Sequence, residues 1–347
     1  MPGPTGATGP QGFTGPTGPY GVTGLIGPYC TGNLNTIATR NWWGTNYSGG
    51  SFNFNGPLDS VFDGVHIWIT NNGNDTVTGI NACDGSFFMN LSGAPYNFAT
   101  PVGIAFDGVR IWVVNQGNNT VTSFNAVDGS FNSILSGAPY NFNNPWYICF
   151  DGTKLWVTNE GTNSVTSFFT SGVFSSVLSG APYNFLVPRQ IFFDGTQIWV
   201  GNLNGAVVFD ASTSTFAFNL PFASRVNDFA FDGIYMWLCI DIWFVNIYDT
   251  SGLFITSIDT SMPPYGIGNT IISIGFDGFS RMWLGVNEAS GIIIVINVPT
   301  ISFNKVMDPS SIPWINTLDV SSWTFDGKYI WGTNSTNDTI TNFFIGK

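Results

Sequence analysis

The stretch "PVGIAFDGVRIWVVNQGNNTVTSFNAVDGSFNSILSGAPYNF", residues 101–142, contains four short apolar or alternating segments separated by turn residues. The turns are Asp-Gly, an Asn- and Gly-rich loop, and a second Asp-Gly, which are typical of tight connections between β-strands. Four strands joined by short connections form an antiparallel meander. These residues therefore predict one four-stranded sheet.

This unit recurs along the chain. The tripeptide Phe-Asp-Gly occurs seven times at spacings of 38 to 49 residues, and a tryptophan follows each aspartate by five or six positions. The motif begins at Phe62, Phe106, Phe150, Phe193, Phe231, Phe276 and Phe325. Units of about 44 residues with four strands are typical of β-propeller blades, in which radial repetition protects the sheet edges. We predict an all-β, seven-bladed β-propeller; a stacked β-solenoid, with shorter rungs and parallel strands, is the alternative.

The last unit, "FDGKYIWGTNSTNDTITNFFIGK", ends after its third strand. We predict that residues 34–45 supply the missing outer strand of this blade and so close the ring. The closure would place the preceding segment at the rim of the disc. The predicted domains are a segment of residues 1–29 and a propeller of residues 30–347.

Residues 1–29 follow a strict triplet rule, with glycine at every third position. The nine glycines are Gly3, Gly6, Gly9, Gly12, Gly15, Gly18, Gly21, Gly24 and Gly27. This period indicates a collagen-like triple helix of polyproline-II strands, because only glycine fits at the crowded axis of three wound chains. A flexible Gly/Pro/Thr linker is the alternative, although a linker has no physical reason to keep the period. The glycines are therefore predicted to set the register of self-assembly.

Threonine occupies the third position of several triplets, at Thr5, Thr8, Thr14, Thr17 and Thr23. This "GPTG" usage resembles the collagen-like regions of bacterial spore-surface and giant-virus surface proteins. The resemblance implies that these threonines are candidate O-glycosylation sites. Cys30 stands where the next triplet glycine would fall, which makes it a candidate for an interchain disulfide in a homotrimer. The other three cysteines are too widely spaced for a zinc site or a disulfide scaffold, and we expect small apolar side chains.

Composition narrows the classes of function. Charged residues make up 9% of the chain, the net charge is -12, and only nine residues are Lys or Arg, without clusters. We expect no nucleic-acid binding, because it requires clustered basic residues. No apolar run approaches the 18 residues of a membrane span, and the first residues show no signal-peptide pattern, so a signal is missing or was removed. The polar, weakly charged surface favours an extracellular location on a cell, spore or virion.

The repeated residues have structural explanations. The Asp-Gly pairs are predicted to serve the turn alone, and a ring of seven metal-binding carboxylates is the less favoured interpretation. The tryptophans are predicted to pack between blades at Trp68, Trp112, Trp156, Trp199, Trp237, Trp283 and Trp331. We expect neither a metal nor another cofactor.

Asparagine stands three residues after five of the tryptophans and is predicted to satisfy the backbone of its own loop. The N-x-Ser/Thr pattern makes candidate N-glycosylation sites of Asn46, Asn74, Asn90, Asn118, Asn334 and Asn337, although so Asn-rich a chain produces matches by chance. The heptapeptide "SGAPYNF" recurs unchanged at residues 92–98, 136–142 and 179–185. It indicates either a recent duplication or a docking surface shared by three blades.

The blade consensus "PxGIAFDGxxIWVTNxGxNTVTSFN" resembles the NHL/YVTN-type propellers, including virginiamycin B lyase-like proteins. In that lyase branch the resemblance implies catalysis with a metal and histidine. This chain has one histidine, His66, and two glutamates, Glu160 and Glu288. We therefore expect no enzymatic activity. The inner strands are predicted to line an apolar channel whose few polar positions, such as Arg189 and Asp228, do not converge.

These observations favour a structural subunit of an extracellular fibre or surface appendage. The partners would be copies of the chain itself, in a homotrimer, a helical filament or both, with glycans as further partners. The alternative is a stalked trimeric adhesin whose propeller head binds carbohydrate or protein, with its avidity increased by the trimer.

Overall fold

The computed structural model describes residues 44–240, 243–262, 270–286, 292–307 and 320–345. In these residues 28 strands form seven four-stranded antiparallel sheets, each of which is one blade of a propeller. The predicted segment of residues 1–29 and Cys30 lie outside the described residues, as do residues 34–43. No helix of the described part is long and apolar enough to cross a bilayer.

The strands follow the repeats in chain order. The first strand, β1 (Gly44–Ser48), is followed by a 3-10 turn at Gly50–Phe52. Blade one contains β2 (Pro57–Phe62), β3 (His66–Asn71), β4 (Thr76–Asn81) and β5 (Phe87–Ser92). Blade two contains β6 (Pro101–Phe106), β7 (Arg110–Asn115), β8 (Thr120–Asn125) and β9 (Phe131–Leu135). Blade three contains β10 (Pro145–Phe150), β11 (Lys154–Asn159), β12 (Ser164–Phe169) and β13 (Phe174–Ser179), with a second 3-10 turn at Glu160–Thr162.

The second half of the chain keeps this order. Blade four contains β14 (Ile191–Phe193), β15 (Gln197–Asn202), β16 (Gly205–Asp210) and β17 (Phe216–Pro221). Blade five contains β18 (Val226–Phe231), β19 (Tyr235–Ile240), β20 (Phe244–Asp249) and β21 (Phe254–Asp259). Blade six contains β22 (Ile271–Phe276), β23 (Arg281–Val286), β24 (Ile293–Asn297) and β25 (Ser302–Met307). Blade seven contains β26 (Val320–Phe325), β27 (Tyr329–Asn334) and β28 (Thr339–Phe344).

The blades form a closed ring around a central channel. The innermost strand of each blade contacts the innermost strand of the next, and β26 of blade seven contacts β2 of blade one. All pairings within the blades are antiparallel between neighbouring strands, which differs from the parallel rungs of the solenoid alternative.

The outermost strand of blade seven is β1, which pairs antiparallel with β28 from Gly44 opposite Phe343 to Ser48 opposite Thr339. The Tyr47 ring of β1 stacks on Trp331 at 5.5 Å. Of the range predicted for an outer strand, residues 34–45, only Gly44 and Thr45 are described. The described chain therefore begins at the rim of the disc.

The core lies between the blades. All seven repeat tryptophans are fully buried. Each of four packs its indole on a phenylalanine from the third strand of the next blade, as in Trp68 with Phe124 at 5.0 Å and Trp112 with Phe168 at 5.2 Å. An aromatic side chain buries about 150–250 Å². These contacts therefore hold sheet against sheet around the ring.

The disc has two faces. The hairpin face carries the Phe-Asp-Gly turns and the hairpins between third and fourth strands. The linker face carries the loops between second and third strands and the connections between blades. Because each innermost strand runs from the linker face to the hairpin face, its early residues lie near the linker face of the channel.

Candidate functional site

The aspartate of each Phe-Asp-Gly motif does more than cap its turn. Asp107 Oδ1 accepts hydrogen bonds from the backbone N–H groups of Val109 at 2.9 Å and Arg110 at 2.7 Å. Its Oδ2 accepts a third from Trp112 Nε1 at 2.8 Å. The same indole bond joins Trp68 to Asp63, Trp156 to Asp151, Trp199 to Asp194, Trp237 to Asp232 and Trp331 to Asp326. The prediction that these aspartates serve the turn alone was wrong.

We call this arrangement the Asp-Trp clamp. The clamp requires that the tryptophan follow the aspartate by five residues, because the hairpin then places the indole nitrogen next to the carboxylate. In blade six the spacing is six, with the turn "DGFSRMW". There Asp277 Oδ1 accepts three backbone N–H groups at 3.0 Å, while the buried Oδ2 has no hydrogen-bond partner. The one-residue insertion therefore replaces the indole bond with a wider turn.

The clamps explain these carboxylates without a metal. Among the described residues, no group of three or more His, Cys, Asp or Glu side chains is placed to hold a metal ion. His66 begins β3, where its Nδ1 lies 3.0 Å from Asp63 Oδ2 and its ring stacks on Phe88 at 3.9 Å. Its contacts therefore belong to the packing of blade one.

The asparagines that follow the tryptophans are fully buried in several blades and bond the neighbouring strand. Asn115 Nδ2 donates to the hydroxyls of Thr120 at 3.1 Å and Thr122 at 2.9 Å. Thr122 in turn donates to the Tyr96 carbonyl of the preceding linker at 3.0 Å. The prediction that these asparagines satisfy their own loop backbone holds at Asn334, whose Oδ1 accepts from the Thr336 and Asn337 N–H groups at 3.1 Å. It was wrong for Asn115, which attaches the linker to the blade through Thr122.

The "SGAPYNF" linkers make equivalent contacts in each copy. The Tyr96 hydroxyl donates to the Gly129 carbonyl of the next blade at 2.6 Å. The hydroxyls of Tyr140 and Tyr183 donate to the Gly172 and Ser214 carbonyls. The asparagine of each copy has a positive φ near 50°, which asparagine tolerates better than most residues. The repeated residues therefore have a structural role, and duplication and a shared docking surface both stay predictions.

The candidate N-glycosylation sites differ in access. Asn334 is fully buried, so the folded blade does not present its amide. Asn118 is exposed, and its Nδ2 donates to the Asn97 carbonyl at 3.0 Å. Asn74 Nδ2 makes the matching bond to Asn53 at 2.9 Å. The remaining sites, Asn46, Asn90 and Asn337, are half-buried.

The cysteines fall into two groups. Cys149 and Cys239 are buried and free, and burial raises the pKa of both thiols well above the usual value. Cys83 is exposed and disulfide-bonded, which corrects the expectation of a plain apolar side chain.

A ring of side chains lies in the channel near the linker face. Each of its members stands three residues before the phenylalanine of a Phe-Asp-Gly motif. The seven members, which we call the channel ring, are Asp59, Gly103, Tyr147, Gln190, Asp228, Ser273 and Ser322. The cavity wall is mostly apolar, as expected, but its polar side chains lie together, and sequence reasoning missed Asp59 and Tyr147. Aligning the repeats three residues before each motif would have found them.

A β-bulge recurs at this position. The register of the innermost strand shifts between Pro57 and Ser60, Pro101 and Ile104, Pro145 and Ile148, Val226 and Asp228, Ile271 and Ser273, and Val320 and Ser322. A bulge leaves one residue out of the ladder and re-aims its side chain. Gly103 shows how close the strands are here, because a Cβ would lie 2.7 Å from the Trp146 carbonyl oxygen.

Asp59 is buried and links three blades. Its Oδ1 accepts from Ser322 Oγ at 2.8 Å and the Ser60 N–H at 2.9 Å, and its Oδ2 accepts from the Ile104 N–H at 3.1 Å. Burial raises the pKa of the Asp59 carboxyl to about 6, against the effect of these hydrogen bonds. The carboxyl therefore titrates close to neutrality.

Asp228 repeats this geometry in blade five. Its Oδ1 accepts from the Phe229 N–H at 2.8 Å, and its Oδ2 accepts from the Ile274 N–H of blade six at 2.9 Å. Burial, together with a smaller contribution from the charge of Asp59, raises the pKa of the Asp228 carboxyl to about 8. At neutral pH Asp228 is therefore mainly protonated.

Tyr147 lies within the electrostatic reach of both carboxyls. Burial, followed by the charges of Asp59 and Asp228, raises the pKa of its hydroxyl, which is hydrogen-bonded to Gln190. At the mouth of the channel Arg189 Nε donates to Glu160 Oε2 at 2.6 Å, and the guanidinium lies 4.3 Å from the Trp146 ring centroid. The ring and its mouth therefore combine acidic, aromatic and ion-paired side chains.

These residues line a cavity of about 70 Å³ that opens to solvent. The ring residues Asp59, Tyr147, Gln190, Asp228 and Ser322 lie in its wall. The wall also contains apolar side chains, among them Phe231, Phe276, Phe325 and Ile330. Since one water molecule needs about 10–15 Å³ of cavity volume, this cavity has room for about five non-hydrogen atoms.

Comparison with known proteins identifies the fold. No family model and no curated protein matches the chain. Among solved structures, the chain is similar to "Streptogramin B lyase structure" (TM-score 0.71, 16% identity, 88% of this chain and 98% of that chain). It is also similar to "Kuenenia stuttgartiensis Hydrazine Synthase" (0.67, 15%, 86% and 98%). A third similar structure is the "Myceliophteria thermophila Cps50 (Swd1) beta-propeller domain" (0.66, 8%, 87% and 100%).

At these identities the likeness concerns architecture and not activity. The architecture agrees with the seven sheets and the closed ring of innermost strands. The chain therefore has the all-β fold of a seven-bladed β-propeller.

Proposed function

We propose that the chain is a structural subunit of an extracellular fibre or surface appendage, which assembles with its own copies through residues 1–29. One observation carries the proposal: glycine occupies nine consecutive third positions, from Gly3 to Gly27. This period has a physical use only when three chains wind together. O-glycosylated threonines belong to the same proposal.

The position of β1 is consistent with this role. Since β1 is the outermost strand of blade seven, the chain that precedes Gly44 joins the disc at its rim. Both faces of the propeller can then contact neighbours while the rim is attached to a stalk.

The experiment compares the full chain with a variant that lacks residues 1–29. We expect the full chain to form trimers or filaments in light scattering and electron microscopy, and the truncated chain to remain a folded monomer. Gly15→Ser should reduce assembly strongly, because a side chain does not fit at the triple-helix axis. Ala7→Ser introduces the same side chain off the axis and is the matched control. Filaments formed equally by all variants would contradict the proposal.

The second candidate is a stalked trimeric adhesin whose propeller head binds carbohydrate or protein. It is favoured by exposed apolar residues at the hairpin face, where Val109, Ile234 and Phe279 are 60%, 67% and 50% exposed. Isolated trimers with separate heads, and no filaments, would support the adhesin over the fibre subunit.

We also propose that the chain is not an enzyme and needs no cofactor, although two similar structures are named after enzymes. The support is that His66 and the clamp aspartates are engaged in packing and turn contacts. Incubation with a streptogramin B should leave the compound intact. Its cleavage would overturn this part of the proposal.

A further inference from the structure

We propose that the central channel binds a small molecule with a primary ammonium group on a short alkyl chain. The channel ring would receive the ammonium group, and the apolar wall below it would receive the alkyl chain. This inference does not depend on assembly through residues 1–29. It stands on the cavity, on the bulges that direct the ring residues, and on the unequal numbers of acceptors and donors in the ring.

Acceptors exceed donors in the ring. A carboxylate offers about four acceptor positions. Asp59 uses three of them, and Asp228 uses two. An ammonium group brings three donors and no acceptor, which suits the remaining positions. The ring is therefore better matched to a donor-rich ligand than to an anion.

The charges favour the same ligand. Two carboxyls share one cavity, and its wall contains no lysine or arginine among the described residues. At the mouth, Arg189 is paired with Glu160, and Arg225 lies within electrostatic reach of both. The other titratable groups near the ring are Tyr147 and the thiol of Cys239, which are neutral at physiological pH. The second carboxyl therefore keeps its proton while the cavity is empty. A bound cation would balance its charge once that proton is released.

The apolar part of the wall distinguishes an alkylammonium from a bare metal ion or a sugar. Phe231, Phe276 and Phe325 precede the Phe-Asp-Gly turns and so lie toward the hairpin face, below the ring. An alkyl chain would bury its surface there, at about 25 cal/mol per Å². Contact with this apolar surface does not stabilise a bound metal ion. The hydroxyls of a polyol would have no hydrogen-bond partners on this surface.

The first test is calorimetric titration of the full chain with n-butylammonium chloride, with n-butanol as the neutral control. We expect one ammonium to bind per chain, with release of a proton, detected by using two buffers of different ionisation enthalpy. Since the ligand displaces protons from carboxyls with raised pKa, its affinity should increase at least about tenfold from about pH 6 to about pH 8.5. Butanol should bind at least about tenfold more weakly.

The second test uses the double variant Asp59→Asn and Asp228→Asn, which keeps side-chain size and removes both charges. We expect at least about a tenfold loss of butylammonium affinity. Asp128→Asn, an exposed aspartate of the hairpin face, is the matched control and should bind as the unmodified chain does. Circular dichroism verifies the fold of each variant.

Several results would overturn the inference. They are absence of butylammonium binding, equal binding of butanol, affinity that does not rise with pH, or unchanged binding by the double variant. Calcium chloride that binds alone and displaces butylammonium would assign the ring to a divalent cation instead. The proton-release measurement needs no variant, so the test remains decisive even when the double variant does not fold.

Discussion

Blades one to three and blades five and six fill the same position with opposite chemistry. Three residues after the tryptophan, the first group has buried asparagines, which bond threonine hydroxyls on the next strand, as Asn71 does with Thr76 and Thr78. Blades five and six have Ile240 and Val286 there, both buried in apolar contacts. The same backbone therefore accepts either a polar or an apolar core at its linker face.

The difference shows which contacts the ring requires. The Asp-Trp clamp is present in both groups, except in blade six, since Asp232 bonds Trp237 in blade five as Asp107 bonds Trp112 in blade two. In blades two and three the asparagine network bonds backbone carbonyls of the "SGAPYNF" linkers, and in blade one it bonds the Phe52 carbonyl of the related segment "SGGSFNF". The clamp thus belongs to the blade, and the asparagine network belongs to the linker.

The largest expected effect tests the clamp. Asp107→Ala removes three hydrogen bonds and leaves the Trp112 indole N–H buried without an acceptor, so we expect a loss of about 3 kcal/mol in the free energy of unfolding. Asp277→Ala, in the blade with the longer turn, removes only backbone bonds and should cost about half as much. Urea denaturation measures both. Equal losses would show that the indole bond contributes little.

A reciprocal exchange tests the linker position. Val286→Asn places an amide among apolar residues of blade six and should cost about 2 kcal/mol. Asn115→Val in blade two removes the bonds to Thr120 and Thr122 and should cost about 1 kcal/mol. The same denaturation experiment measures both variants. If Val286→Asn leaves the free energy of unfolding unchanged, polar and apolar side chains are interchangeable at this position. The difference between the two groups of blades then has no energetic consequence.

The pH dependence of stability distinguishes the carboxyls of blades one and five. A raised pKa means that the folded state holds the proton more tightly, so stability decreases as pH rises from about 4 to the folded pKa, by about 1.4 kcal/mol per unit at most. For Asp59 this decrease ends near pH 6, and for Asp228 near pH 8. In each Asp→Asn variant, stability should therefore no longer decrease over the pH range of the replaced carboxyl. Thermal midpoints measured across pH test this. Unchanged slopes would contradict the burial of these charges.

The smallest effect concerns one linker. Tyr140→Phe removes the hydroxyl bond to the Gly172 carbonyl and should cost about 1 kcal/mol or less. Tyr235→Phe in blade five, outside any "SGAPYNF" linker, is the control. Hydrogen exchange should show faster opening of the linker in the first variant alone. If Tyr140→Phe lowers the free energy of unfolding more than Asp107→Ala does, the linker contributes more to stability than the clamp, contrary to our expectation.

Much of the fold followed from the repeat. The seven Phe-Asp-Gly motifs predicted the blade number and the class of fold, because the turn chemistry of Asp-Gly and the alternation of apolar residues act locally. The candidate site was predicted poorly. Asp228 was noticed as a single polar position, whereas Asp59 and Tyr147 lie 88 residues apart in sequence and were not connected with it.

The sequence by itself determined the seven blades, the turns and the burial of one tryptophan per blade, since these follow from a motif that recurs about every 44 residues. Only the tertiary structure decided that equivalent positions of distant repeats meet in one channel. It also decided that bulges turn their side chains toward the cavity and that two carboxyls there hold raised pKa values. The physical reason is that ring closure brings together residues whose sequence separation carries no local signal, and their burial and charge exist only after that closure.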